Sequence, residues 1–362
     1  MKAKVVTPDV SKAKRILAIS DIHGNLELLK RLLKKVGFQD SDFLILVGDY
    51  IEKGPENLAT LRYVMELCKK KNVYALSGNC DTIWEDIRFE RYHKDLLRYM
   101  LWRSESVLNE MCKEQEIAVH ADMDKAGMQK SLLGAYDAEF TWLEELPHII
   151  DTPKITFVHA GLAIGDLSSQ DANDCMMHRA FLENAPAFQK YVVVGHWPTV
   201  NYPVYSNGLL SHMPIVDREK RIISIDGGNV VKRSGQLNCL IFQEGAFSFA
   251  FVDDLPIRIA TGSQESAEAP TSVVWMHNEL DMVVRGDTQS ACVLKHTGQR
   301  LVIPNEYLYE QDGVVYCRDY TNYTMSLREG DAVSIVETHE NLALVKRNGI
   351  LGWADQALLT VN

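Results

Sequence analysis

An α/β domain built from βαβ units, followed by an all-β region, is the fold class this sequence predicts, on three observations. Short apolar runs alternate with amphipathic helical segments over residues 15–79. Beyond residue 272 the helical period disappears and short strand-like runs with glycine turns take over. Between the two regions stands TGSQESAEAP (261–270), small, polar and ended by proline, the composition of a linker. The expected division is a domain over 1–255, a linker over 256–272, and two β-repeats over 273–310 and 311–362.

The elements follow from local pattern. RILAIS (15–20) reads as a strand entering DIHGN, then LELLKRLLKKVG as an amphipathic helix closed by Gly37. FLILVGD (43–49) is a continuous apolar strand, LATLRYVMELCKKK (58–71) a helix and VYALSGN (73–79) a third strand. Residues 83–118 read as a polar helical insertion. Strand signals return at ITFVHAGL, YVVVGHWPT and RIISIDGG, and LNCLIF with FSFAFVD forms a hairpin. In the β-region, 279–308 aligns with 330–359 without a gap at an offset of 51 residues, matching Lys295 with Lys346, Gly298 with Gly349 and Leu308 with Leu359. That rhythm of short strands and glycine turns predicts two small β-barrels, and the second copy, ending GILGWADQALL, resembles bacterial SH3-like domains; their expected ligand is an intracellular peptide or the chain's own catalytic domain. The first copy lacks the Trp and the Gly before it.

Composition narrows the function. Of 362 residues, 46% are hydrophobic and 24% charged, with net charge −11, so no basic stripe for general nucleic-acid binding is expected. A phosphorylated small substrate stays open, because bound cations invert the local charge of a site. Seven scattered cysteines without CxxC pairing argue against a disulfide framework. No leader-like apolar stretch and no long apolar run appears, so no membrane association and a cytoplasmic protein are expected.

Five stretches place a metal-capable side chain just after a strand: Asp21 and His23 in SDIHG, Asp49 in GDYIEKG, Asn79 in SGNCD, His159 in VHAGL and His196 in VGHWP. Ligands gather at the carboxyl ends of strands in such sheets, so these six groups can converge on one crevice. Carboxylate, imidazole and amide oxygen suit divalent Mn, Fe or Zn, with Mn favoured. Six donors exceed one tetrahedral ion and fit two ions about 3.5–4 Å apart that clamp a phosphoryl group and activate a water.

The order DxHG, GDxxxxG, GN-x-D, HAG, GH resembles the calcineurin-like metallophosphoesterases, and within them the phosphoprotein phosphatase branch that includes bacterial dinucleoside-tetraphosphatases. The likeness runs over about residues 15–252. It implies a metallophosphoesterase β-sandwich flanked by helices. It also implies that Asp21 and His23 hold one metal, that Asp49 bridges, and that Asn79, His159 and His196 hold the second. Arg179 in MMHRAFL stands where the family places a phosphate-gripping Arg; a surface Arg on a helix is the alternative. Asp226 of SIDGG is expected to orient a ligand or its own loop.

Three positions depart from the branch pattern GDxxDRG and GNHE or GNHD. Glu52 replaces Asp, Lys53 replaces Arg and Cys80 replaces His; in the family that His pairs with the Asp at position 52, and the imidazolium helps to protonate the leaving group. Lys53 keeps charge but loses the bidentate fork. GNCD occurs among phosphodiesterases of the same superfamily, so Cys80 is compatible with activity. The expected function is a phosphoesterase acting on a phosphorylated protein or a nucleotide, with Asp49, Asn79, Cys80, Asp81, Lys53 and Arg179 in the catalytic set. The alternatives are a phosphodiesterase or a weakened, phosphate-recognising scaffold.

Overall fold

The computed structural model describes residues 1–89, 95–266 and 269–360. Parts of the expected insertion (90–94), linker (267–268) and second repeat (361–362) lie outside the described residues. The chain forms two compact units, Met1–Pro198 with Pro214–Asp253, and Thr199–Met213 with Asp254–Asn362.

The first unit is built on two sheets. One has five strands in the order Ala246–Val252, Leu237–Gln243, Ile16–Ile19, Phe43–Leu46 and Val73–Ala75, the last three parallel. The other has six, in the order Val5–Val6, Ile149–Asp151, Ile155–Val158, Tyr191–Val194, Ile222–Ser224 and Ile215–Asp217. Alternate residues of the central strands face opposite layers, as period-two geometry requires. Ile16, Ala18, Phe43 and Ile45 join Ile155, Phe157, Val193 and Ile223 in one buried cluster between the sheets. Leu17, Ile19, Leu44 and Leu46 join the helical layer in another. This burial on both faces explains why these strands read as unbroken apolar runs.

The Leu26–Val36 helix buries Leu28, Leu29, Leu32 and Leu33, is capped by the Asn25 side chain and ends with Gly37 in the left-handed region at φ 60°. The expected insertion contains helices Ile83–Phe89, Leu96–Trp102 and Val107–Glu114. Leu96, Met100, Leu108 and Met111 pack into the same core as the Leu26–Val36 helix.

The second unit is all β apart from short 3-10 turns. The repeat is visible in its elements: a three-strand meander and a 3-10 turn occur as Glu279–Arg285, Gln289–Leu294, Arg300–Pro304 and Asn305–Tyr307. They recur as Ala332–His339, Leu342–Arg347, Ile350–Asp355 and Gln356–Leu358. Each first strand carries a bulge, between Met282 and Val284 and between Ile335 and Glu337. Among the described residues no sheet closes into a barrel; the meanders belong to separate five- and four-stranded sheets.

Among the described residues, part of the stretch expected as a linker is structured. Ile257–Ile259 pairs with Ala332–Ser334, and the Gln264 side chain donates to the Met325 and Trp353 carbonyls at 2.7 and 2.9 Å. The Gln264 amide thus bonds the carbonyls of two buried residues. The segment 199–213 also belongs to this unit: the Leu351 and His212 N–H groups bond the Leu210 and Gly349 carbonyls.

Candidate metal centre

The strand-to-loop turns that carry the chemistry are tight. Asp21, His23, Asp49 and His196 all adopt positive φ, between 48° and 65°. Left-handed backbone at non-glycine residues costs on the order of 1 kcal/mol each and collects at functional sites. The neighbouring glycines follow from close approach: a Cβ on Gly78 would overlap the Asp49 carboxylate, and one on Gly195 the Asp21 carboxylate.

Asp49 is the centre of the cluster. Its Oδ1 lies 3.4 Å from His159 Nε2, and its Oδ2 lies 3.7 Å from His23 Nε2. Asp21 Oδ1 is 3.9 Å from His23 Nε2, and Asp21 Oδ2 accepts from the His196 N–H at 3.0 Å. Asn79 Oδ1 lies 3.2 Å from His159 Nε2, and the His159 and His196 rings are 5.1 Å apart. Thus all six expected donors come together, with the two oxygens of Asp49 facing two separate imidazoles.

Protonation suits ligation. His159 Nδ1 lies 2.9 Å from the Val47 carbonyl and His23 Nδ1 3.4 Å from that of Ile51, so each Nδ1 serves as donor and leaves Nε2 toward the carboxylates. Burial, with Lys53 adding for His23 and His159 for His196, pushes both of these imidazoles down to about 3. Burial also acts to raise Asp49, but His159, His23 and Lys53 outweigh it and hold the carboxylate below its usual range. Asp21 and Asp81 are pushed up to about 8 and about 7, by burial first and then by the charge on Asp49. Asp226 is raised by burial and by Asp21. Two buried carboxylates, Asp21 and Asp49, beside imidazoles and one amide oxygen are the donor chemistry that a pair of divalent cations fits.

The departures have distinct placements. Lys53 Nζ lies 3.3 Å from His23 Nε2. Burial works against its ammonium form, but the carboxylates of Asp49, Asp21 and Asp226 prevail and raise its pKa. Cys80 stands beside His23 and Asp49, with donor atoms within 4.8 Å of one another. Burial and then Asp49 raise its pKa, so it is a neutral thiol.

Asp81 corrects the expectation that it serves in the catalytic set. Its Oδ2 accepts from the Asp49 and Gly78 N–H groups at 2.7 and 2.8 Å, and its Oδ1 from Tyr50 N–H at 2.9 Å. Three backbone donors consume the carboxylate, which therefore fixes the Asp49 loop. Glu52 is likewise structural: buried, it accepts from the Val107 N–H at 2.8 Å and from the Tyr99 hydroxyl, while the Lys53 N–H bonds the Glu105 carbonyl at 3.0 Å. Arg179 is exposed, without a carboxylate partner among the described residues, and near enough for its charge to bear on His196. Asp226 accepts from the Gly228 N–H at 2.7 Å, holding its own loop.

A cleft of about 390 Å³ opens beside Lys53, Asn79 and Cys80 and is walled by Tyr99, Trp102 and Arg103. Acidic or aromatic residues of the insertion at 83–148 are expected from the sequence to shape a pocket lid, and Tyr99 and Trp102 stand at this wall. The signal was present in RYMLWR, where aromatic side chains and arginines crowd the end of a helix otherwise marked as polar insertion.

The model of the calcineurin-like phosphoesterase family matches residues 14–226. An asymmetrical bis(5'-nucleosyl)-tetraphosphatase of Halalkalibacterium halodurans is 27% identical over 161 residues, 42% of this chain and 58% of that protein. A symmetrical bis(5'-nucleosyl)-tetraphosphatase of Pseudomonas fluorescens is 30% identical over 151 residues, 40% of this chain and 42% of that one. The matches therefore span about half the length of these relatives. A solved metallophosphoesterase of Sphaerobacter thermophilus is 20% identical, with TM-score 0.38 and coverage of 66% of this chain and 88% of that one.

Proposed function

We propose that this chain, which belongs to the calcineurin-like phosphoesterase family, hydrolyses phosphoric anhydrides of nucleotides at a site for two divalent cations, manganese favoured. The observation that carries the reading is Asp49, whose two oxygens are directed at His159 and His23. Asp21 and His23 would hold one cation and Asn79, His159 and His196 the other, with Asp49 shared between them. When bound, the ions supply Lewis acidity at the phosphoryl group and activate water. Lys53 adds a fixed positive charge at the cleft floor, and exposed Arg179 is available to a phosphate oxygen.

The leaving group follows from Cys80. An imidazolium at that position would protonate a departing alkoxide, whereas a thiol with a raised pKa is a poor acid. A phosphate leaving group departs as a stable anion and needs no such proton. Anhydrides are therefore favoured over alkyl monoesters such as phosphoserine, and the names of the relatives point the same way. The two β-meanders, related at a 51-residue offset, are read as SH3-like repeats that take a peptide. A cytoplasmic location accords with the absence of any helix, among the described residues, long and apolar enough to cross a membrane.

The test is turnover of diadenosine tetraphosphate and of phosphoserine with Mn²⁺, for wild type and Asp49→Asn, alongside measured metal content. The reading expects the anhydride to be preferred, and expects Asp49→Asn to lose metal and at least a thousandfold in rate. Equal rates for wild type and variant would refute it.

A further inference from the structure

Tryptophan side chains bury large areas in folded proteins, yet Trp102 is 73% exposed. Its backbone is nevertheless held fast. The Asn109 amide donates to the Met100, Arg103 and Ser104 carbonyls at 2.8, 2.7 and 3.3 Å, which pins the turn that ends the Leu96–Trp102 helix. The Arg103 N–H closes on the Tyr99 carbonyl at 2.8 Å, and the Tyr99 hydroxyl donates to Glu52 in the loop beside Lys53. An anchored helix thus presents an open indole. The Arg103 guanidinium lies 4.7 Å from the Trp102 ring centre and 6.0 Å from that of Tyr99, which adds a cation at the same rim. Trp102 and Arg103 line the cleft whose floor carries Lys53, Asn79 and Cys80.

We propose that Trp102, with Arg103 stacked against it, is a nucleobase platform that selects nucleoside polyphosphates, the base lying on the indole and the phosphates running past Arg103 toward Lys53. This deepens the hydrolase reading above and rests on it. Stacking of a base on an aromatic side chain is worth about 1–3 kcal/mol and tolerates any base, because every base offers a π-face. An aryl phosphate fits less well. Its ring is joined directly to the reacting phosphate and would lie against the floor, whereas an exposed rim suits a ring spaced by a sugar and further phosphates. The long, charged spacer also explains why the cleft carries cations at both floor and rim in a protein of net charge −11.

The experiment measures kcat/KM for diadenosine tetraphosphate, tripolyphosphate and O-phosphotyrosine with Mn²⁺, for wild type, Trp102→Ala and Trp102→Phe. The expected result is a fall of at least tenfold in the ratio of the dinucleotide to tripolyphosphate in Trp102→Ala, carried by KM, and recovery to within about threefold in Trp102→Phe. An unchanged ratio overturns the proposal. So does an equal loss on phosphotyrosine, which would reassign the rim to aryl phosphates. A wild type that turns over none of the three removes the hydrolase reading instead. Calorimetric binding of AMP to the Mn²⁺-loaded protein then decides the platform: at least fivefold weaker binding by Trp102→Ala supports it, and equal binding overturns it.

Discussion

Truncating Glu52 to alanine should unfasten the wall of the cleft while leaving every candidate metal ligand in place. The side chain is 2% exposed and accepts from the Val107 N–H at 2.8 Å and from the Tyr99 hydroxyl. Hydrogen bonds to a charged group contribute about 1.5–3 kcal/mol each, and a buried donor left without a partner costs about 1–3 kcal/mol. Val107 is fully buried and begins a helix, so water reaches its N–H poorly once the carboxylate is gone. The two losses together are worth about 3 kcal/mol, read as a urea midpoint shift and as a Tm fall of about 6–12 °C. Tyr99→Phe removes one bond and should cost about 1.5 kcal/mol, with a double-mutant coupling to Glu52→Ala of about 1–2 kcal/mol. KM for a nucleotide should rise in Glu52→Ala, because Tyr99 sits on the helix that carries Trp102. A stability loss below about 1 kcal/mol with zero coupling would refute the latch. A fall in kcat at unchanged stability and KM would instead make Glu52 a catalytic group.

Three further outcomes follow from the same geometry. Asp81→Asn substitutes an amide N–H₂ for one of the oxygens that face backbone donors, and should cost about 2–3 kcal/mol in urea unfolding with reduced metal content. Gly78→Ala drives a Cβ into the Asp49 carboxylate and should lower kcat at least a hundredfold with far-UV circular dichroism retained. His148 Nδ1 accepts the Lys4 N–H at 3.0 Å, and burial followed by the Lys4 charge pushes the imidazole down to about 4 from 6.5. The unfolded chain then binds the extra proton between these values. Stability is therefore full above pH 6.5 and falls as pH drops toward 4, by up to about 1.4 kcal/mol per pH unit, and His148→Asn should flatten that slope in denaturant midpoints.

The positions of the donors were legible because each follows a strand whose apolar run is unmistakable. Leu44, Ile45 and Leu46 are buried on both faces, so chain direction and the strand end could be read without a partner. What those strand ends do was legible only to the extent that residue type implies chemistry. Asp49 and Asp81 look alike in sequence, yet one faces two imidazoles and the other faces three N–H groups. The Glu52–Tyr99 contact joins residues 47 apart and has no local pattern. The same holds for 199–213: nothing in its composition says that Leu210 pairs with a strand near residue 351. TGSQESAEAP reads as a linker because composition counts polar side chains such as Gln264 without showing what they bond.

The three departures from the branch pattern are best understood together. A shorter Asp at position 52 would draw the carboxylate back by one methylene from the Val107 N–H, so Glu52 suits a cleft wall that must be held at this distance. Lys53 supplies charge without a planar fork, which suits a flexible chain of phosphates better than a single tetrahedral ester. Cys80 withdraws a strong acid from the floor and leaves a neutral thiol beside His23 and Asp49. Each change alone reads as damage to a phosphatase. On the proposed substrate none of them is costly, because an anhydride leaves without a proton and a nucleotide is held by its base. The selectivity that the floor gives up would be supplied at the rim, by side chains on the helix that Glu52 fastens.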